Sequence, residues 1–207
     1  MTQLDLERIN LDLGRDAEKL VDWALALPVK AVLSTGFGPF SAVLLHMVSQ
    51  RKPDTPVLWV DSGYNTPETY RYADEITRRL KLNLKTYHPL RSRAQREALE
   101  GPVPGLEDPR HAAFTREVKL EPFDRGIAEL QPGVWLTALR ADETALRARM
   151  QPASVNAEGI IKVAPVLHWS SKQMHEYLKR HGLPNNFEFF DPTKVDQNRE
   201  CGLHLAH

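Results

Sequence analysis

Short apolar runs at 31–33, 57–60, 82–87, 134–138 and 160–166 recur along this chain, most of them separated by stretches with helical character. The stretch 16–26 places Leu20 and Ala24 on one helical face, and 41–49, 67–80, 123–130 and 170–181 read as further helices. Thr66 is a fitting N-cap, with Pro67 at the first helical position. Ser170 or Ser171 opens the last helix, and Gly182 and Pro184 end it. Strands alternating with helices predict an α/β fold, a mostly parallel twisted sheet covered by helices on both faces. Residues 91–116 hold three prolines, two glycines and many charges, and read either as a mobile loop or as an irregular helical excursion. The chain of 207 residues suits one core. We expect a single domain over 1–184 and a polar, irregular, mobile tail over 185–207.

In open parallel sheets, ligands bind beyond the carboxyl ends of the strands. Three such ends carry chemistry here: Ser34-Thr35-Gly36-Phe37-Gly38 after the first run, Asp61-Ser62-Gly63 after the second, and Arg140 after the fourth. The glycines of the first loop let backbone N–H groups approach an anion at a helix start. The loop lacks the Gly-Lys-Ser/Thr of a Walker motif, and it also reads as a tight turn with no ligand. Asp61 is placed to accept hydrogen bonds from a ribose or adenine, or to act only as a local cap. Lys119, Arg140, Arg147 and Arg149 are basic residues near element ends. Arginine suits phosphate and sulfate by its fork of donors, whereas a solvated basic face is the usual fate of such charges. His168, His175 and His181 read as surface or cap residues, and the four tryptophans with Tyr70 and Tyr72 as packing.

Charge and cysteine content narrow the function. Lys plus Arg number 27, as do Asp plus Glu, so the net charge is zero and gives no case for a nucleic-acid or membrane partner. No apolar segment is long enough to cross a bilayer, and residues 1–15 do not read as a signal peptide. The one cysteine, Cys201, cannot form an internal disulfide, which makes the cytoplasm the expected compartment. Nor can it hold an iron–sulfur cluster with the usual four thiolates of one chain. Cys201 sits in the polar run Glu200-Cys201-Gly202-Leu203-His204, where a thiol is reachable and where Arg199, His204 and the anion-site arginines would favour its thiolate. It is equally readable as an incidental free thiol, or as a Cys-x-x-His half-site with no second cysteine to complete it.

In this order the motifs resemble the phosphoadenylyl-sulfate (PAPS) reductase family over nearly the whole chain. Leu33 to Gly38 with Ser41-Ala42-Val43 is similar to the family's Ser-Ser/Thr-x-Phe-Gly loop. Val60-Asp61-Ser62-Gly63-Tyr64 through Pro67-Glu68-Thr69-Tyr70 resembles its Asp-Thr-Gly-Tyr…Pro-Glu-Thr-Tyr block. Lys119-Leu120-Glu121-Pro122 resembles its Lys-x-Glu-Pro, and Glu200-Cys201-Gly202-Leu203-His204 its C-terminal signature. The resemblance implies an adenine-nucleotide alpha-hydrolase-like fold and thiol-dependent reduction of a sulfonucleotide to sulfite, with Cys201 as nucleophile. The implied partners are a PAPS-type substrate, reduced thioredoxin or glutaredoxin, and a second copy in a homodimer. The absence of cluster cysteines favours the 3′-phosphorylated substrate over adenylyl sulfate (APS), with no metal and no resident cofactor. The implied binding residues are Ser34, Thr35, Gly36, Phe37, Gly38, Asp61, Ser62, Gly63, Lys119, Arg140, Arg147, Arg199 and His204. Two departures stand out. Glu143 occupies the amide position of the family's Arg-x-x-Gln-Ser-x-x-Arg, and the segment before the cysteine is short, without the family's Gly-Asp…Thr-Thr stretch.

Overall fold

The computed structural model describes residues 3–194. Elements run α1 (Gln3–Leu13), α2 (Ala17–Ala26), β1 (Ala31–Thr35), α3 (Ser41–Arg51), β2 (Pro56–Val60), α4 (Pro67–Leu80), β3 (Asn83–Tyr87), α5 (Arg93–Glu100), α6 (His111–Thr115), α7 (Glu121–Leu130), β4 (Val134–Leu136), β5 (Ala153–Val155), β6 (Ile161–Val163) and α8 (Ser171–Arg180). The six strands form one sheet in the order β3-β2-β1-β4-β6-β5. All neighbours are parallel except β5 and β6. The expected α/β sheet is therefore present, with one antiparallel edge added.

The strands alternate between two buried faces. Ala31, Leu33, Val57, Trp59, Val134 and Leu136 join the large core under α2, α3, α4 and α8. The intervening Val32, Leu58 and Trp135 point the other way, against Phe123 and Leu130 of α7. Such period-2 packing on both faces is why these strands read as unbroken apolar runs. Gly126 lets α7 come close to the sheet, since a Cβ there would lie 2.7 Å from Leu58 Cδ1.

Local chemistry sets the helix starts. Asp16, Thr66, Ser92 and Ser170 each accept a backbone N–H at the N-cap, and Ser170 with Gln173 completes a capping box. The stretch 91–116 resolves toward its helical reading, as α5 and α6. The run 134–138 is a strand only over Val134–Leu136. The run 160–166 is a strand only over Ile161–Val163, because Pro165 has no N–H to continue a ladder. Helix α1 and strand β5 had no place in the sequence reading, and each holds the other. The Asn10 side chain donates to Ala153 O (2.9 Å) and accepts from Ala153 N (2.8 Å), acting as a substitute strand at the sheet edge.

Candidate functional site

The strand order reverses direction between β1 and β4, where β2 and β3 extend to one side and β6 and β5 to the other. This is the switch point at which doubly wound sheets leave a crevice. A cleft of about 910 Å³ opens there. Its floor is apolar, with Leu33, Leu44, Leu58, Val60 and Phe123, and its rim is polar.

Seven of the residues singled out from sequence meet in this cleft: Ser34, Thr35, Gly36, Gly38, Lys119, Arg140 and Arg147. The Trp135 indole N–H donates to Ser34 Oγ at 2.7 Å, fixing the loop against β4. Thr35 Oγ1 accepts from Phe37 N at 3.1 Å. Phe37 takes a positive φ of 52° and turns its ring into the core, 5.0 Å from Trp59 and fully buried. Its side chain therefore does not line the cleft. The loop needs a residue there to anchor it, and the ring spends its apolar surface on the core.

Asp61, Ser62 and Gly63 do not line the cleft either. Asp61 Oδ1 accepts from Gly63 N (3.0 Å), Asn65 Nδ2 (2.9 Å) and Tyr70 OH (2.8 Å), so its first role is to close its own turn. Burial, together with that bond to Asp61, pushes the Tyr70 hydroxyl up to about 12. Tyr70 therefore stays a donor at neutral pH. Arg149 is exposed and away from the cleft. Arg199, Cys201 and His204 lie outside the described residues.

Lys119 reaches the cleft from a widened helical turn. The Glu121 N–H bonds to Arg116 O, five residues back, over Arg116–Leu120. Pro122 follows, and a proline can neither donate to the carbonyl four residues earlier nor fit against it, which favours a turn of this kind. The Lys-x-Glu-Pro spacing thus has a backbone consequence as well as a side chain to offer.

Arg140 and Arg147 stand on the other side. Arg140 donates to Ser171 Oγ (2.8 Å) and Asp142 Oδ2 (3.2 Å), and lies 5.3 Å above the Phe40 ring. Arg147 is only 5% exposed and pairs with Glu143, which also lies 3.4 Å from Arg140 Nε.

The third wall was not read from sequence. Residues 185–194 run without regular structure along the cleft as a strap. Asn185 Oδ1 accepts from Phe40 N (2.7 Å), and the buried Asn186 donates to Phe37 O (2.8 Å) and Thr69 Oγ1 (3.0 Å). The Phe189 ring lies over the glycine loop, and a Cβ on Gly38 would sit 3.3 Å from it. Phe187 and Phe190 are exposed and line the cleft. Asp191 closes an ion pair with Lys119 and accepts from Thr193 N (3.0 Å) and Thr193 Oγ1 (2.6 Å). Burial alone would raise the Asp191 carboxyl, but the Lys119 charge with the bonds from Lys119 and Thr193 outweighs it and holds it below the usual carboxylate range. The signal for this wall was present as three phenylalanines within residues 187–191 of a polar tail.

Among the described residues, four basic side chains (Lys119, Arg140, Arg147, Lys194) therefore face three carboxylates (Asp142, Glu143, Asp191) around a cleft wide enough for a nucleotide. Among the described residues no group of three or more His, Cys, Asp or Glu is arranged to hold a metal ion. Among the same residues no helix is long and apolar enough to cross a membrane.

Known proteins share this architecture. The chain is 42% identical over 187 residues to a phosphoadenosine 5′-phosphosulfate reductase of Xanthomonas euvesicatoria pv. vesicatoria, covering 87% of this chain and 75% of that protein. It is 41% identical over 230 residues to the enzyme of that name from Escherichia coli K12, covering 97% and 92%. In structure it is similar to a PAPS reductase of Candida auris solved as a phosphate complex, at a TM-score of 0.78 and 24% identity, with 90% of each chain covered. A U34-tRNA thiolase of Methanococcus maripaludis has a similar fold at a TM-score of 0.58 and 12% identity, covering 84% of this chain and 65% of that one. Residues 30–190 match the phosphoadenosine phosphosulfate reductase domain, and the chain belongs to that family.

Proposed function

We propose that this protein reduces 3′-phosphoadenylyl sulfate to sulfite and adenosine 3′,5′-bisphosphate in assimilatory sulfate reduction, with Cys201 as the nucleophile. The observation that carries the reading is the convergence of Lys119, Arg140 and Arg147 on the switch-point cleft of a family member. Lys194, the last described residue, lines the same cleft. Cys201 follows it by seven residues, and a chain of that length spans up to about 25 Å. That chain length is compatible with Cys201 acting on a nucleotide bound in the cleft, and it supports the reading.

The chemistry sets a charge problem. A thiolate must approach an anionic sulfo group, and a phosphate must leave. Cationic donors fixed around both lower that barrier without reorganising at the moment of reaction. Lys119, Arg140 and Arg147 are held by their partners and serve this role. The Cys201 sulfur forms a bond to the sulfo sulfur, the S–O bond to the nucleotide phosphate breaks, and Cys201 carries an S-sulfocysteine. A thiolate of reduced thioredoxin or glutaredoxin then attacks Cys201 Sγ and expels sulfite. Its second thiol resolves the mixed disulfide, supplying the second electron of the pair. One cysteine cannot provide both electrons, so the dithiol comes from a partner protein. In this reading the enzyme works in the cytoplasm as a homodimer without a resident cofactor.

The test omits the reductant. Pre-reduced protein is mixed with PAPS and separately with APS, and intact-mass spectrometry with peptide mapping looks for one sulfo unit on Cys201. Adduct from PAPS, absent in Cys201→Ser, is the expected result. Adduct from APS alone would make the protein a cluster-free APS reductase. No adduct from either, in folded and reduced protein, would leave a nucleotide-binding relative without the chemistry.

A further inference from the structure

Glu143 presents its two carboxylate oxygens to two different guanidinium groups. Oε1 lies 3.4 Å from Arg140 Nε, and Oε2 pairs with Arg147 Nη1. One oxyanion bridging two arginines is the arrangement a phosphate or sulfate oxyanion adopts. The arginine side chains are 11% and 5% exposed, whereas that of Glu143 is 37% exposed. The arginines also have anchors that do not involve Glu143. Arg140 is held by Ser171, Asp142 and the Phe40 ring, and the backbone of Arg147 is fixed by its N–H donating to Thr144 Oγ1 at 3.2 Å, while its side chain is packed to 5% exposure. Of the three carboxylates that described residues place on the cleft, Asp191 is held by Thr193 as well as by Lys119, and Asp142 pairs with Arg140 and not with Arg147 among the described contacts. Glu143 combines contact with both arginines and a free path to water.

We infer that Glu143 is an internal counter-ion, one that holds Arg140 and Arg147 until an oxyanion of the substrate takes its place, and so sets the affinity of the cleft for anions. A guanidinium buried as deeply as that of Arg147 is costly beside too little negative charge. Glu143 stabilises it before substrate arrives, and an incoming oxyanion has to compete with a carboxylate already in position. Binding is then an exchange of anions, in which Glu143 turns out into solvent while the arginines stay. The inference rests on the assignment of this cleft as the sulfonucleotide site, but the exchange itself is readable with a simple anion.

The experiment titrates inorganic phosphate into the full-chain protein and its E143Q variant, by calorimetry and by thermal melting. Gln is nearly isosteric and keeps one acceptor oxygen for an arginine, while it removes the charge and puts an NH2 where the second oxygen stood. The expected result is phosphate binding at least fivefold tighter in E143Q, with the difference shrinking as inert salt rises. E143Q should also melt below the parent without phosphate and regain most of that gap when phosphate is saturating. E143D, which keeps the charge but is one methylene short of bridging both arginines, should fall between the two. Equal or weaker phosphate binding in E143Q, or a difference indifferent to salt, would overturn the inference. Should phosphate bind more tightly in E143Q while neither PAPS nor APS modifies Cys201, the exchange stands and the reductase reading fails.

Discussion

Lys119 and Asp191 join the widened turn before α7 to the strap 185–194, through an ion pair whose side chains are 17% and 10% exposed. This contact ties the basic residue of the Lys-x-Glu-Pro motif to the segment leading toward Cys201. It links the position of a cation lining the cleft to the position of the strap.

Breaking the pair should therefore loosen the strap. In D191N the Lys119 charge remains in place against a neutral amide. A loss of about 1–3 kcal/mol is expected, less than for a fully buried pair because both groups keep some contact with solvent. K119M should cost less in the D191N background than alone, and a urea-denaturation cycle of the two variants reads that coupling. The pH dependence follows from the lowered Asp191 carboxyl. A depressed acid contributes stability above its unfolded value, about 3.9, and loses it only as pH falls through the folded value. The gap between parent and D191N should thus stay constant from pH 8 to pH 5 and close only in stronger acid.

The glycine loop and Phe189 make a second, steric prediction. A Cβ on Gly38 would meet the Phe189 ring at 3.3 Å, and on Gly36 at 3.6 Å. The ring belongs to an irregular segment and has room to yield, so G38A should change stability by less than about 1 kcal/mol. Its effect should appear in the cleft as a raised KM for the sulfonucleotide. F189A removes the obstructing ring, and the G38A penalty on KM should be largely absent in the F189A background. Additive effects in the double variant would show that the ring is not what the glycine accommodates.

Thr66 does two jobs, and a conservative swap separates them from mere bulk. Its hydroxyl accepts from Thr69 N (3.1 Å), capping α4, and donates to Glu188 O (2.9 Å), hooking the strap. T66A should lose about 1–2 kcal/mol, in line with other lost caps. It should also speed amide hydrogen exchange across 185–190. T66S keeps the hydroxyl and should recover both, measured by urea denaturation and hydrogen exchange on the same preparations.

The sequence was most informative where structure is local. Thr66 and Pro67 marked the start of α4, and the helix begins at Pro67 and runs to Leu80 as expected. The buried strands were legible because Val32 and Leu33 both meet apolar surface, on opposite faces. What escaped depends on partners far along the chain. Strand β5 is three residues long with a serine at its centre, and it is held at the edge by antiparallel pairing with β6 on one side and by Asn10 at Ala153. The strap has no period to detect, and its place is set by Asn186 bonding Phe37 and Thr69, more than a hundred residues away in sequence. Phe37 shows the converse. Its motif points to the ligand, but its backbone turn sends the ring to Trp59. Motifs located the cleft through its glycines and cations, and long-range packing decided which of their neighbours face it.

A last prediction concerns the helix layer beside the cleft, where His46 of α3 packs on α8. His46 Nδ1 lies 2.9 Å from the Tyr177 hydroxyl, and its ring is 4.6 Å from that of His181. Burial lowers its pKa below the usual histidine value, the charges of His181, Arg79 and Arg51 lower it further, and Glu18 on α2 opposes them. The folded protein therefore refuses a proton that the unfolded chain accepts near pH 6.5. Below that pH the unfolded state binds more protons, so stability falls as pH drops from about 6.5 toward the folded value. H46Q keeps a polar partner for Tyr177 but has nothing to titrate. Urea midpoints at pH 7.5 should favour the parent or match it, because His46 is neutral in both states there. At pH 5.5 the parent should have lost stability that H46Q retains, narrowing or reversing the gap. Parallel pH profiles for the two proteins would show that the α3–α8 contact carries no proton-linked cost.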